Sequence, residues 1–278
     1  MIRRIVNRLI RDEKKNREIE SEFPLCELHD SRSTSAELDP YLIPSIVYQT
    51  WQDNLFGRTH FSALNRFRSL NSNLSFKLYN QSDIQQYMKC SWSSHPIFAI
   101  FTNSRFGPMK ADIFRYCILY ERGGYYFDIN KGCNVPIRSL HQYSTTCLIS
   151  FEQNDCTVLP NENVMKKLQN PNKYILNWAL GFTKNHVILE TTIANICKYY
   201  KYFKNVEYKY PKNAILSLTG PGMLTKTIRE TIDNHSTLDI TQAGIDLNGE
   251  GIFDMSGSYI RYRTAPSYGQ VRNAVIVS

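Results

Sequence analysis

No stretch of 18 apolar residues occurs in this 278-residue chain, so the sequence offers no membrane-spanning helix. Its N-terminus also lacks the apolar core of a secretory signal. Seven cysteines stand at positions 26, 90, 117, 133, 147, 156 and 197, with no CxxC pair among them. An odd number at wide spacing argues against a disulfide framework and against a zinc site. A reducing compartment suits such cysteines, so the sequence reads as cytoplasmic. No DNA- or RNA-binding motif, internal repeat or low-complexity tract is visible, and nucleic acid is not an expected partner.

What is present is a basic, aromatic-rich chain. Its net charge is +8, with 18 Tyr and 14 Phe among the 13% aromatic residues. Apolar residues make up 42%, enough for one large domain. The positive balance favours anionic partners such as phosphorylated small molecules or anionic lipid. Seven of the 33 Lys and Arg residues fall within the first 17 positions. Residues 1–20 read as a basic amphipathic helix, with Ile2, Ile5, Leu9 and Ile10 on one face and arginines on the other. Such a helix either docks on an anionic membrane surface or packs on the domain or a partner. Residues 21–40 are polar and contain Pro24 and Pro40, which reads as a linker, so the domain proper is expected at 41–278.

Strands and helices then alternate. Ile46-Val47-Tyr48 form a buried strand that leads into a loop with Gln49 and Trp51. A helix is expected over 61–74, a strand over 75–80, and a helix from 81 with Ser82 or Asp83 as its N-cap. Pro108 to Glu121 is a strong helix, with Pro in its first turn and Gly123-Gly124 as its stop. The buried strand "YYFDI" follows, and helices are expected over 186–203 and 221–234. This order gives an α/β sheet.

The chemistry concentrates in "KADIFRYCILYERGGYYFDIN". Asp112 and Arg115 are three apart in an otherwise apolar helix and share one face. With strand period two, Asp128 and Asn130 point to one side while Ile129 points to the other. Ligands of open α/β sheets bind beyond the carboxyl ends of strands. Asp112, Arg115, Asp128 and Asn130 are therefore expected at one edge. An Arg there neutralises phosphate, an Asp holds a sugar hydroxyl, and Asp128 with Asn130 offers oxygens to a divalent ion. An i,i+3 surface ion pair is the plainer reading of Asp112 and Arg115.

The same segment resembles the signature of the DxD sugar-binding glycosyltransferases of family 32. The family pattern is roughly A-D-x-x-R-Y-x-x-L-x-x-x-G-G-x-Y-x-D-x-D. Ala111, Asp112, Arg115, Tyr116, Leu119, Gly123, Gly124, Tyr126 and Asp128 match it. "IPSIVYQTWQDN" and "LNSNLSFKLYNQSD" upstream, and "NWALGFTKNHVILE" and "LTGPGMLT" downstream, are similar to further family segments, so the likeness covers about 43 to 226. The resemblance implies a GT-A-type, Rossmann-like α/β fold with a mixed central sheet. It also implies a retaining transfer of a hexose or N-acetylhexosamine to a glycan or glycolipid hydroxyl, aided by Mn²⁺ or Mg²⁺. The donor would be a nucleotide sugar, a UDP-sugar first and GDP-mannose second. In that pattern Asp112, Arg115 and Asp128 are catalytic and donor-binding, Gln49 and Trp51 approach the nucleotide base, and Asp128 and Asn130 hold the metal.

Three departures bear on this. Asn130 stands where the family has its last Asp, Tyr48 where it has a His, and no His follows His235. Asp254, Ser256, Ser258 and Ser267 remain as candidates for a late metal ligand. Glu152 and Asp155 are candidate acceptor-binding acids, and a helix begins at Gly220-Pro221-Gly222 where an anion can sit. His186 reads as structural. A non-catalytic nucleotide-sugar binder or partner subunit, and a toxin-like transferase that glycosylates protein, are the alternative functions.

Overall fold

Strands and helices alternate along the chain and close into one mixed sheet with helices on both faces. The computed structural model describes residues 13–34, 39–234, 238–260 and 267–278. Ile2, Ile5, Leu9, Ile10 and the arginines at 3, 4, 8 and 11 lie outside them, and of the expected basic helix only 13–20 (α1) is described. In chain order there follow β1 (Cys26–Glu27), β2 (Ile46–Thr50), β3 (Leu55–Phe56), α2 (Arg58–Leu70), β4 (Ser75–Tyr79), α3 (Gln81–Trp92), α4 (Pro96–Asn103) and α5 (Gly107–Arg122). Then come β5 (Gly124–Phe127), β6 (Gly132–Cys133), β7 (Cys147–Asp155), α6 (Glu162–Lys167), β8 (Lys173–Ile175), β9 (Ala179–Phe182) and α7 (Val187–Tyr199). The last are β10 (Glu207–Tyr208), α8 (Pro211–Leu218), α9 (Pro221–Asn234), β11 (Thr241–Ile245), β12 (Gly251–Ile252) and β13 (Ala274–Val275).

The central sheet runs β11-β7-β9-β5-β2-β4, with β8 on β7. β2 is parallel to β4 and β5, whereas β9 is antiparallel to β5 and β7. The carboxyl ends of β2, β4 and β5 therefore share one edge, and the start of β9 lies there too. Both faces of the sheet are covered, which is why its inner strands are apolar throughout. On one face Tyr48 and Tyr126 pack with Ile113, Phe114 and Ile188. On the other, Val47, Tyr125 and Phe127 pack with Leu64 and Phe67 of α2.

Local chemistry sets the element ends. α5 stops at Gly123, whose φ of 66° favours glycine, and a Cβ there would lie 2.8 Å from Lys184 N. α3 is capped by Asn80 in a reciprocal capping box with Asp83, two or three residues before the expected Ser82 or Asp83 cap. α2 begins at Arg58 rather than 61, because Glu22 from outside the helix supplies its N-terminal acceptor. That carboxylate takes hydrogen bonds from Thr59 N at 2.8 Å and Thr59 Oγ1 at 2.6 Å.

The polar segment after residue 21 lies along the domain. β1 pairs with β3, Ser31 bridges to Phe76, and Leu28 is buried. Its backbone finds partners on the domain surface, so low hydrophobicity here marks an edge arm.

Candidate active site

β5 feeds Asp128 to the carboxyl edge, and period two puts it on the Tyr126 side, facing α5. There the Arg115 guanidinium lies 4.3 Å from the Tyr126 ring centroid. Its Nη2 donates to Asp128 Oδ1 at 3.0 Å and lies 3.1 Å from Asp112 Oδ1. Nη1 donates to the carbonyl of Asn177. The i,i+3 pair of α5 is thus buried, with the two side chains only 5% and 9% exposed, and is no surface ion pair. Asp128 keeps 32% of its side chain open at the edge.

Two distant residues complete the arrangement. Asn177, just before β9, donates from Nδ2 to Asp112 Oδ1 at 3.0 Å. Thr219, at the end of α8, donates from Oγ1 to Asp112 Oδ2 at 2.9 Å. The Tyr116 hydroxyl lies 2.7 Å from both Asn177 Oδ1 and the Thr219 carbonyl, and so braces the two. Neither residue follows from periodicity. The signal for each was its place at the head of a family-like segment, "NWALGF" and "TGPG".

One cation here serves two carboxylates. Burial works to lower the Arg115 pKa, but Asp128, Tyr126 and Asp112 outweigh it and raise it, so Arg115 stays charged. Asp112 carries the cost. Burial pushes its carboxyl from 3.8 up to about 6, against the pull of Arg115, Thr219 and Asn177. Between these values the folded chain holds a proton that the unfolded chain has released, so stability falls as pH rises from about 4 to about 6. The loss is on the order of 3 kcal/mol. Urea titrations across this range are expected to show it in the native protein and not in Asp112→Asn. Equal pH profiles in the two would remove this assignment.

Asp128 and Asn130 do not continue the strand. β5 ends at Phe127, and Lys131 N donates to Asp128 O at 2.9 Å, which closes a turn. The expectation that strand period two aligns them is corrected on this point, because the turn and not the pleat directs Asn130. Its Nδ2 faces Asp254 Oδ1 at 3.4 Å, and Met255 N donates to the Asn130 carbonyl at 2.9 Å. Lys131 Nζ lies 3.8 Å from the same Asp254 oxygen, bonds the Phe253 carbonyl, and sits over the Phe253 and Trp178 rings. Of the late candidates, Asp254 alone is brought to Asn130. Ser256 is exposed, Ser258 is buried elsewhere, and Ser267 caps the turn at Tyr268–Gln270.

Asp128, Asn130 and Asp254 offer only oxygen donors, a set suited to a hard divalent cation completed by substrate phosphates. The carboxylate absent at 130 has a counterpart at 254. Among the described residues no group of three or more His, Cys, Asp or Glu gathers as a ready cage.

Gln49 belongs to β2, is fully buried, and points to the α2 side, where Arg68 Nη2 donates to its Oε1 at 3.2 Å. Trp51 leaves the sheet at its carboxyl edge, its ring stacked on Phe56 at 6.3 Å. Trp51 lines a cleft. His186 caps α7 through Ile188 N, Asp155 pairs with Lys173 at 3.0 Å, and Glu152 lies on the outer half of β7. Gly220 packs against the backbone of Leu216 and ties α8 to α9.

An Arg thus stands between two carboxylates at the edge of a mixed α/β sheet, with an oxygen-lined turn beside it. Residues 42–146 match the family model described as "Glycosyltransferase sugar-binding region containing DXD motif". Residues 42–146 thus carry the sugar-binding region of the DxD glycosyltransferases, and the chain is similar to transferases of that kind. It is 23% identical over 184 residues to inositol phosphoceramide mannosyltransferase 3 of Schizosaccharomyces pombe, covering 66% of this chain and 44% of the relative. It is 25% identical over 234 residues to inositol phosphoceramide mannosyltransferase 1 of the same yeast, covering 82% and 64%. It is 23% identical over 228 residues to mannosyl phosphorylinositol ceramide synthase of Saccharomyces cerevisiae, covering 73% and 59%. The chain thus spans less than two thirds of the length of these relatives. Among solved structures, the PaToxG glycosyltransferase superposes with a TM-score of 0.51 at 16% identity, covering 84% of this chain and 82% of that one, which shows the shared fold.

Proposed function

We propose that this chain transfers a mannosyl residue from GDP-mannose to a hydroxyl of a glycan or glycolipid, with retention at the anomeric carbon. The relatives' names give mannose precedence, so GDP-mannose moves ahead of the UDP-sugar that the motif alone favoured. The observation that carries the reading is Arg115, held between Asp112 and Asp128 at the carboxyl edge. As the glycosidic bond breaks, negative charge grows on the departing diphosphate, and a preorganised cation in a dry site stabilises it without reorganisation. Asp128, with an open face, would take sugar or ribose hydroxyls, and Asp112 would hold Arg115 in place. A divalent ion, when bound, would add charge stabilisation at the diphosphate, and Asp128, Asn130 and Asp254 would hold it. The acceptor we favour is a lipid-linked inositol headgroup, after the relatives' printed names. Among the described residues, no helix is long and apolar enough to cross a membrane.

The test is direct assay of the purified chain with GDP-mannose and with UDP-sugars, on inositol phosphoceramide and on free glycans, with and without Mn²⁺. Mannose transfer with retained configuration is expected. Transfer from UDP-sugars alone would overturn the donor. Asn130 favours a second reading, a nucleotide-sugar binder without turnover. Tight GDP binding with no transfer or donor hydrolysis under any of these conditions would select it.

A further inference from the structure

A cleft of about 340 Å³ lies on the α2 side of the sheet, between that helix and the arm. It stands apart from the transfer site, because α2 and α5 cover opposite faces of the sheet. Asn65, Arg68 and Ser69 of α2 are spaced i, i+3 and i+4, and so share the face that lines it. His29, Ser31 and Arg32 of the arm supply the opposite wall. Backbone hydrogen bonds fix the arm there. Ser31 and Phe76 exchange two, at 2.9 and 2.8 Å, and Thr34 N donates to the Ser72 carbonyl at 2.9 Å.

The state of Arg68 points to a ligand. The residue is only 7% exposed, yet it forms no ion pair among the described residues. Its Nη1 and Nη2 donate to neutral oxygens, the His29 carbonyl and Gln49 Oε1, and its Nε–H has no acceptor among the described residues. Asp30 is the acid that acts on it, and the Oδ1 of that acid is already engaged by Leu78 N at 2.8 Å. Burial lowers the Arg68 pKa from 12.5 to about 10, so the group is still charged at neutral pH. Arg115, also buried, has two carboxylates beside it. A buried cation with neutral partners alone is costly, and an anion in the cleft would offset that cost. A second cation stands at the rim. Arg32 is exposed, and its side chain forms no hydrogen bond or ion pair among the described residues. The half-buried Asn65 side chain and the Ser31 and Ser69 hydroxyls have no hydrogen-bond partner there either. Glu27 is the acid of the lining, and its oxygens face Asn54 Nδ2 at 2.7 Å and His29 Nε2 at 3.9 Å.

We infer that this cleft binds a phosphate ester, with its phosphate between Arg32 and Arg68 and its alcohol part toward Asn65, Ser31 and Ser69. Guanidinium forks match phosphate oxygens, and amide and hydroxyl groups add donors around a tetrahedral anion. A bare phosphate would leave most of the cleft empty, so the alcohol part is itself sizeable and carries hydroxyls. A soluble phosphorylated molecule and a lipid headgroup both present this chemistry. Either one, once bound, ties the arm to α2. The site stands whether or not the chain transfers mannose.

The test is calorimetry of the full chain with inorganic phosphate and with glycerol 1-phosphate at constant ionic strength. Flotation with phosphatidylcholine vesicles, with and without phosphatidylinositol, runs beside it. Arg32→Ala and Asn65→Ala are the variants. Neither side chain has a partner to strand, so both are expected to melt within a few degrees of the native chain. Both are expected to weaken phosphate and glycerol 1-phosphate, Arg32→Ala by about tenfold. Phosphate is also expected to raise the melting temperature of the native chain more than that of Arg32→Ala. If Arg32→Ala also loses binding to the phosphatidylinositol vesicles, the source is a lipid headgroup. If its loss is confined to the soluble esters, the source is a free molecule. Phosphate held at the transfer site alone would ignore both substitutions. Unchanged phosphate affinity in the two variants, or no phosphate binding by the native chain, would therefore overturn the site.

Discussion

Arg115→Ala is expected to abolish transfer and to cost about 3–5 kcal/mol of stability, because it strands a buried carboxylate without its counter-charge. Arg115 Nη2 lies within 3.1 Å of Asp112 and 3.0 Å of Asp128, and both Arg115 and Asp112 are almost fully enclosed. A domain with about 5–15 kcal/mol in hand feels such a loss as a large fall in melting temperature. Two companion variants separate the causes. Arg115→Lys keeps a charge but lacks the fork that reaches both carboxylates and the Asn177 carbonyl, so it should fold better than the alanine variant and still transfer poorly. Asp112→Ala/Arg115→Ala should lose less stability than the two single losses summed, since neither partner is left stranded. Urea unfolding of the native chain, Arg115→Ala, Asp112→Ala and the double variant measures this. Strict additivity would mean that the pair does not interact as its geometry says.

Asp128→Ala should behave oppositely, with a small effect on stability and a large one on turnover. Its carboxylate is about a third exposed, so the cavity and desolvation terms are modest. In the proposed transfer its loss removes the group assigned to donor and metal together, which should lower kcat/KM by about 10²–10³-fold. Transfer assays beside thermal melts decide the point. A variant that folds normally and transfers within a few-fold of the native chain would remove Asp128 from the chemistry.

These expectations combine what could be read from the chain with what could not. Helix α5 was legible from Pro108, Gly123 and the apolar run between them, and the three-residue spacing put Asp112 and Arg115 on one face. Period two along Tyr126 and Asp128 put the second carboxylate on the side of that helix. The pleat failed one residue pair later, because a turn begins at Asp128 and hands Asn130 to the loop with Asp254, 124 residues away. The polar composition after residue 21 suggested a linker, yet that stretch pairs with β3 in a two-stranded sheet and lines a cleft. Composition reports how little a segment buries of its own, and says nothing of which edge will accept its backbone.

The sequence by itself determined the α/β class, the helix-to-strand unit that carries Asp112, Arg115 and Asp128, and the likeness to the DxD glycosyltransferases. All of these rest on contacts between near neighbours, where helix and strand periods dictate direction. Only the tertiary structure decided that Asn177 and Thr219 bind the Asp112 carboxylate from 65 and 107 residues away. It also decided that Arg115 is buried rather than solvated, that Asp254 meets Asn130, and that the arm lines the Trp51 cleft. Those contacts depend on how a mixed sheet orders its strands, and no local period encodes the side-by-side placement of β9 and β5 that brings Trp178 to Asp128 and Asn177 to Arg115.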